Sequence, residues 1–291
     1  MRDVEIRSLV ETRIHHPRAV AEAAARRVRP ESPLGDHGRL MMIAADHPAR
    51  GALRAGARPF AMADRGDLLD RLRVALSRPG VNGVLGTPDI VEDLLLLGAL
   101  DGKVVVGSMN RGGLAGTAFE LDDRFTAYDA RSLAARAYQG GKVLLRIDPD
   151  DPASVATMEA CGRAVGALAE YRLMAMVEPF PSRRVDGRVV NELTPDAMTR
   201  IVGIASGLGP TSAYTWLKVP VVEEMDRVLA ASTLPAVILG GEVGDDQDAT
   251  FARWAKALTL PTAQGLVVGR SLLYPPDDDV AAAVDTAVGL L

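Results

Sequence analysis

Eight short β-rich apolar runs, each followed by a helical pattern, predict an α/β fold in the form of a (β/α)8 TIM barrel. Two further observations support it. The units together fill roughly 250 residues, the usual size of such a barrel, and no linker or shift of composition divides the chain of 291 residues.

In chain order the first strand is Leu40–Ala45, which runs into the turn Asp46-His47-Pro48-Ala49-Arg50-Gly51. A doubly wound sheet, the competing arrangement, usually carries a Gly-rich turn at this point, and this turn is not one. Strands follow at Val81–Leu85, Val104–Gly107, Val143–Ile147, Leu173–Val177, Thr215–Val219, Ala236–Leu239 and Leu266–Val268. Apolar residues at helical spacing mark Asp64–Ser77, Ile90–Leu100, Asp129–Gln139, Ala153–Tyr171, Pro195–Ser206, Val222–Ala231, Asp248–Leu258 and Val280–Leu291. Residues 1–36, basic and partly helical, read as an N-terminal extension packed on the barrel of residues 37–291.

A hydrophobic content of 48% supports a large core, and a net charge of -5 without a basic block argues against nucleic acid and anionic membrane surfaces as partners. No apolar stretch reaches the ~20 residues of a membrane span. The single Cys161 lies in a helical pattern and reads as a buried core residue. These features place the protein in the cytoplasm, and the apolar exterior of such barrels favours a homo-oligomer.

Lys218 stands out because only four of the 33 basic residues are lysines, the others being Lys103, Lys142 and Lys256. It lies in the apolar run Tyr214-Thr215-Trp216-Leu217-Lys218-Val219-Pro220-Val221. A surface charge here is nearly always written as arginine, whereas an amine that must lose its proton and attack a carbonyl has to be lysine. Strand alternation turns Trp216 and Lys218 inward, with Lys142, Leu144, Arg146 and Asp148 from the fourth strand and Met174, Met176 and Glu178 from the fifth. Asp46 ends the first strand in the same way. Asp46, Asp148, Glu178 and Lys218 would then gather at the carboxyl ends of the strands, where this fold carries its active sites.

An amine among apolar walls and beside other cations gives up its proton more readily and becomes a nucleophile toward a ketone. Glu178 and Asp46 are the candidates for proton transfer. The alternative is that Lys218 merely forms an internal ion pair with one of them. Lys142 begins its strand, some 20 Å below Asp148 at ~3.3 Å per residue, and either acts as a second cation or fills the barrel floor. Lys103 and Lys256 read as solvated charges.

The last two strands end in Gly240-Gly241-Glu242-Val243-Gly244 and Gly269-Arg270-Ser271, at the usual phosphate site of the fold, where the glycines either let the backbone approach an anion or serve as ordinary turns. The Gly-rich segment Asn110–Gly116 is either a substrate lid or a plain connection. Arg183, Arg184 and Arg188 follow Glu178 in a loop that either screens an acidic ligand or is simply solvated. All four histidines (His15, His16, His37, His47) precede residue 48, so no histidine set can form a zinc site across the later strands, and neither metal nor cofactor is expected. His47, next to Asp46, is either a substrate contact or an ordinary hydrogen-bonding loop residue.

The motifs Asp46-His47-Pro48-Ala49-Arg50-Gly51, Lys142–Asp148, Val177-Glu178-Pro179, Leu217-Lys218-Val219-Pro220, Leu239-Gly240-Gly241 and Val268-Gly269-Arg270 stand in the order seen in lysine-dependent class I aldolases. Residues 38–275 resemble the group of tagatose-bisphosphate, archaeal-type fructose-bisphosphate and deoxyribose-phosphate aldolases. The resemblance implies a Schiff base on Lys218, acid–base work by Glu178 with Lys142 or Asp46, and a sugar phosphate held by Gly240, Gly241, Gly269 and Arg270. The Met109–Gly116 and Glu120–Arg124 segments resemble a deoxyribose-phosphate aldolase-like actinobacterial branch associated with inositol breakdown. Its substrate would be 2-deoxy-5-keto-gluconate 6-phosphate, cleaved to dihydroxyacetone phosphate and malonic semialdehyde. Arg146 stands where many of these aldolases have an aromatic residue, and would suit a substrate bearing both phosphate and carboxylate. A barrel isomerase or epimerase using Glu178 as base, and a sugar-phosphate sensor without turnover, are the readings from other classes.

Overall fold

All eight expected strands form, and they close on themselves. In the computed structural model, which describes residues 3–35, 38–241, 243–244 and 246–291, the strands are β1 (Leu40–Ala44), β2 (Gly83–Gly86), β3 (Val104–Ser108), β4 (Gly140–Ile147), β5 (Met174–Val185), β7 (Thr215–Pro220), β8 (Ala236–Leu239) and β9 (Ala263–Val268), with β6 (Arg188–Asn191) outside the barrel. The order β4-β3-β2-β1-β9-β8-β7-β5 is parallel throughout and is sealed by β4 against β5. His37, Glu242 and the expected boundary at residues 36 and 37 lie outside the described residues.

Two cores follow from the alternation of side chains. Leu40, Met42, Ala44, Val104, Val106, Met174, Met176, Val237 and Val267 fill the barrel interior, with Leu34 and Trp216 packed against them. The opposite set, including Ile43, Val105, Val143, Leu145, Val177, Leu217 and Val219, packs outward against the helices. Leu34 precedes β1, so the segment leading into the barrel also packs on its interior.

Helices separate the strands where the sequence places caps. Asp64 accepts from Asp67 N at the start of α3 (Arg65–Ser77), and Asp129 and Ser132 form a capping box on α5 (Ala130–Ala135). Thr194, followed by Pro195, opens α7 (Pro195–Ser206), and Asp246 opens α9 (Gln247–Leu258). The helices α4 (Pro88–Leu96), α6 (Ala153–Glu170), α8 (Met225–Leu229), α10 (Arg270–Leu273) and α11 (Val280–Val288) complete the outer layer. Two N-terminal helices, α1 (Asp3–His15) and α2 (Ala19–Arg26), lie against it. Arg13 pairs with Asp93 at 2.7 Å, and Arg27 donates to the carbonyls of Lys103 and Ala137.

Three expectations are corrected. β5 does not end at Val177: it stays paired with β4 as far as Ile147 opposite Pro181, then turns back as a hairpin with β6. The turn residues Asp186 and Gly187 both have positive φ, 50° and 77°, the Asp-Gly turn that matches strand twist. Arg183, Arg184 and Arg188 are therefore strand residues and not a loop. Lys103 is half-buried, its ammonium donating to the Val81 carbonyl at 2.5 Å, and burial lowers its pKa. Cys161 is buried as expected, and burial pushes its thiol up to about 12. Among the described residues, no helix is long and apolar enough to cross a membrane.

Candidate active site

The inward-facing ends of β1, β3, β4, β5 and β7 bring five polar groups into one chain of contacts. Lys218 Nζ donates to Glu178 Oε1 at 2.6 Å. The other oxygen of that carboxylate takes Lys142 Nζ at 2.8 Å. Lys142 also lies 2.8 Å from Asp46 Oδ2, and Ser108 Oγ donates to the same oxygen at 2.9 Å. All five side chains are buried.

The charges interleave, and this sets their protonation. Burial opposes ionisation of Glu178, but Lys142 and Lys218 outweigh it and hold the carboxyl far below its usual range. Burial works against Asp46 in the same way, and Arg111, Lys142, His47 and Lys218 bring it well below its ordinary value. Lys142 is shifted down by burial, with Asp46 and Glu178 pulling it back up. Lys142 thus reaches the site from below and is not remote from it. Asp148 lies beyond the mouth and is a poor reference, whereas β4 pairs Lys142 beside Met176, and its long side chain rises to the carboxylate two residues further along β5.

Above the cluster opens a cavity of about 330 Å³. Asp46, His47, Arg146, Glu178, Lys218, Gly240, Gly241, Gly269 and Arg270 all line it, so the structure brings the sequence-nominated residues together, with Lys142 directly beneath. Gly241 has a φ of 69°, open to glycine at no steric cost. A Cβ on Gly269 would collide with the Ala44 carbonyl, so β1 and β9 can approach closely here only with glycine. The Ser271 hydroxyl is buried against Gly240 and has no hydrogen-bond partner among the described residues. Burial, opposed by Asp46 and reinforced by Arg270, Lys218 and Arg111, brings the His47 pKa down to about 3, so its imidazole is neutral near pH 7.

Two nominated positions behave differently. Asp148 stays out of this cavity: its carboxylate accepts from the backbone N–H groups of Asp150 and Arg184 and braces the hairpin. Arg146 reaches the cavity wall, but its guanidinium is engaged bidentately by Asp123, at 2.8 and 2.6 Å, and by Glu120. It anchors the β3–α5 loop and is not presented as a cation for a ligand. Sequence reasoning passed over Ser108, Arg111, Arg50, Glu120, the hairpin residues Val189 and Asn191, and Phe180 and Leu193 on either side of the hairpin. Ser108 was within reach, because Val104 and Val106 point inward and period two carries that on to 108. Arg50 is half-buried near Arg146 and Arg111, and its partial burial together with these two cations lowers its pKa to about 10.

The Asn110–Gly116 segment is fixed at its start. Beyond Ser108 opposite Lys142 the β3–β4 ladder ends, and the Asn110 side chain replaces it, donating to Leu144 O and accepting from Leu144 N, both at 2.6 Å. Asn110→Ala should leave the Leu144 N–H unpaired in a buried place and its carbonyl with only the weak Cys161 thiol donor at 3.6 Å, at a cost of about 1–3 kcal/mol. Denaturant unfolding at neutral pH measures it, and an unchanged midpoint would show that water or a shifted strand replaces the amide.

Among the described residues, no cluster of three or more His, Cys, Asp or Glu is placed to hold a metal ion. The Cgl0159-like family model matches residues 38–288. The crystal structure of Cgl0159 from Corynebacterium glutamicum is 53% identical over 100% of this chain and 97% of that one, with a TM-score of 0.96. An archaeal fructose-1,6-bisphosphate aldolase, solved with its catalytic lysine covalently bound to the carbinolamine intermediate, is 18% identical over 93% of this chain and 98% of its own, with a TM-score of 0.65. A fructose-bisphosphate aldolase from Slackia heliotrinireducens gives 17% identity, coverages of 87% and 85% and a TM-score of 0.61. At these identities the two aldolases share the fold with this chain. No curated protein matches. The extent of the family match and the likeness to the corynebacterial protein establish that this chain belongs to the Cgl0159-like family.

Proposed function

We propose that the chain is a class I aldolase, making or breaking a carbon–carbon bond in a keto-sugar phosphate through a Schiff base on Lys218. The observation that carries this is the position of the Lys218 ammonium: it lines the cavity and lies 2.6 Å from a carboxylate whose other oxygen holds a second buried lysine. A lysine paired only for structure has no need of a cavity above it. The fold shared with aldolases that use a catalytic lysine agrees with this reading.

The chemistry follows from the charges. Lys218 passes a proton to Glu178 and attacks the ketone. In the carbinolamine its nitrogen is neutral, so Glu178 is left with Lys142 alone and its proton affinity rises at the step that moves protons. Loss of water gives the iminium, which takes the electron pair of the breaking carbon–carbon bond and becomes an enamine. The hydroxyl of the departing half gives its proton to a carboxylate, Glu178 or Asp46, and leaves as an aldehyde. Protonation of the enamine carbon and hydrolysis then release the ketone and restore Lys218. Gly240, Gly241, Gly269 and Arg270 form the end suited to phosphate, and neutral His47 can bond a substrate hydroxyl.

Within this class the resemblance of the 109–124 segments favours 2-deoxy-5-keto-gluconate 6-phosphate. Its carboxylate would meet Arg50, whose carboxylate partner among the described residues is Glu120 at 3.7 Å, since Arg146 is held bidentately by Asp123 as well as by Glu120. Borohydride reduction in the presence of dihydroxyacetone phosphate, followed by peptide mass mapping, should find the adduct on Lys218. An adduct on Lys142 would keep the chemistry and move the amine. None with this ligand or with a panel of keto-sugar phosphates would remove the Schiff-base reading and favour an isomerase or a sensor.

A further inference from the structure

We infer that Arg111 is a positioning residue for this cluster: its guanidinium locks Asp46 as an ionised carboxylate that shares Lys142, which leaves Glu178 to exchange protons with Lys218. The inference rests on the Schiff-base reading and adds to it a residue that the sequence did not single out.

Arg111 follows β3, yet it binds the end of β1. Its Nη2 donates to the Asp46 carbonyl at 2.8 Å, and its Nη1 lies 3.3 Å from Asp46 Oδ2. β2 lies between these two strands in the barrel, so the side chain must reach past the end of a neighbour to make the contact. Its backbone is held for that reach, because the preceding Asn110 is tied to both polar groups of Leu144. Only 6% of Arg111 is exposed, an unusual burial for a guanidinium unless its charge is used. A purely mechanical clamp would be satisfied by the carbonyl. This one also reaches the carboxylate.

That second contact matters because Lys142 Nζ is equidistant, at 2.8 Å, from Asp46 and Glu178. An ionised Asp46 takes a share of the Lys142 charge. A protonated Asp46 would not, and Lys142 would then fall wholly to Glu178, which already holds Lys218. A carboxylate gripped by two ammoniums is a poorer base. Burial favours the protonated form of Asp46, and Arg111 is the foremost of the cations that oppose it. Ser108 works in the same direction, donating to Oδ2, and the imidazole of His47, neutral near pH 7, lies 3.9 Å from the other oxygen. Lys218 itself touches neither Arg111 nor Asp46 in the contacts described above, so the effect passes through the shared lysine and carboxylate.

The test uses the full-length protein with dihydroxyacetone phosphate as probe. Two readouts are followed from pH 5 to 9: borohydride-trapped adduct at Lys218, and exchange of the probe's C3 hydrogen with solvent deuterium, which reports enamine formation. In Arg111→Met the acid limb of the exchange rate should move to higher pH, with a loss of roughly tenfold or more at pH 6 and a smaller one at pH 8. Arg111→Lys should bring the limb back toward the wild-type position. Ser108→Ala, which poses little risk to folding, should move it the same way by less. A uniform loss at every pH in both Arg111→Met and Ser108→Ala overturns the inference, as does a raised KM for the probe with the limb unmoved. Absence of an adduct in the wild type overturns the Schiff-base reading and this inference with it. An adduct with normal pH dependence in Arg111→Met overturns this inference alone.

Discussion

Lys218→Ala and Lys218→Arg are both expected to abolish the borohydride-fixed adduct and to lower carbon–carbon cleavage by on the order of 10⁵-fold, while the barrel stays folded. The arginine variant is the more telling of the two. It keeps a permanent positive charge beside Glu178, so any role of Lys218 as an ion-pair partner survives, but it cannot give up its proton at accessible pH. In the alanine variant Glu178 still holds Lys142 at 2.8 Å and is not left as a lone buried charge. Thermal melting should therefore show a modest loss for alanine and a smaller one for arginine. Turnover within tenfold of wild type in Lys218→Arg would mean that Lys218 only neutralises Glu178, and the aldolase reading would be withdrawn.

What could be read from the sequence was whatever strand alternation controls. Leu40, Met42 and Ala44 lead inward to Asp46, and Met174 and Met176 lead to Glu178, while the outward Leu217 and Val219 turn Lys218 in. Each of these follows from period two within one strand, and the structure keeps every one. The expectation for Asp148 failed because the rule was carried one residue past the end of β4, where the chain turns to brace the hairpin. The hairpin itself had a signal, the Asp186-Gly187 pair, but Pro179 and Pro181 hid the strand that leads into it. Arg146, which does line the cavity, shows a different limit. Its direction was right, yet its partners Asp123 and Glu120 come from an irregular loop that has no periodicity to read. Arg111 is the same kind of residue: its function lies in a contact across the barrel mouth, which only the closed fold creates.

Lys142→Met is expected to cost about 3–5 kcal/mol of stability at pH 7, because it removes one charge from a fully buried set and leaves two carboxylates facing the place it filled. Its dependence on pH separates this from a packing defect. Glu178 and Asp46 are both held below their unfolded values near 4. The stability they contribute is therefore complete above that pH and is lost as pH falls through the folded values. Lys142 is the foremost cation acting on Glu178, so the variant lacks much of that contribution from the outset. The gap between wild type and Lys142→Met should be widest above about pH 5 and should narrow as pH falls toward 3, as the wild type gives up what the variant never had. Urea unfolding of both proteins across this range measures the gap directly. Activity should drop by on the order of 10²-fold, since Glu178 without Lys142 is the weaker acid when it must return its proton to the carbinolamine hydroxyl. A gap that stays constant from pH 7 to pH 3 would mean that Lys142 supports the barrel by its volume, and the interleaved charges would lose their claim to govern the site.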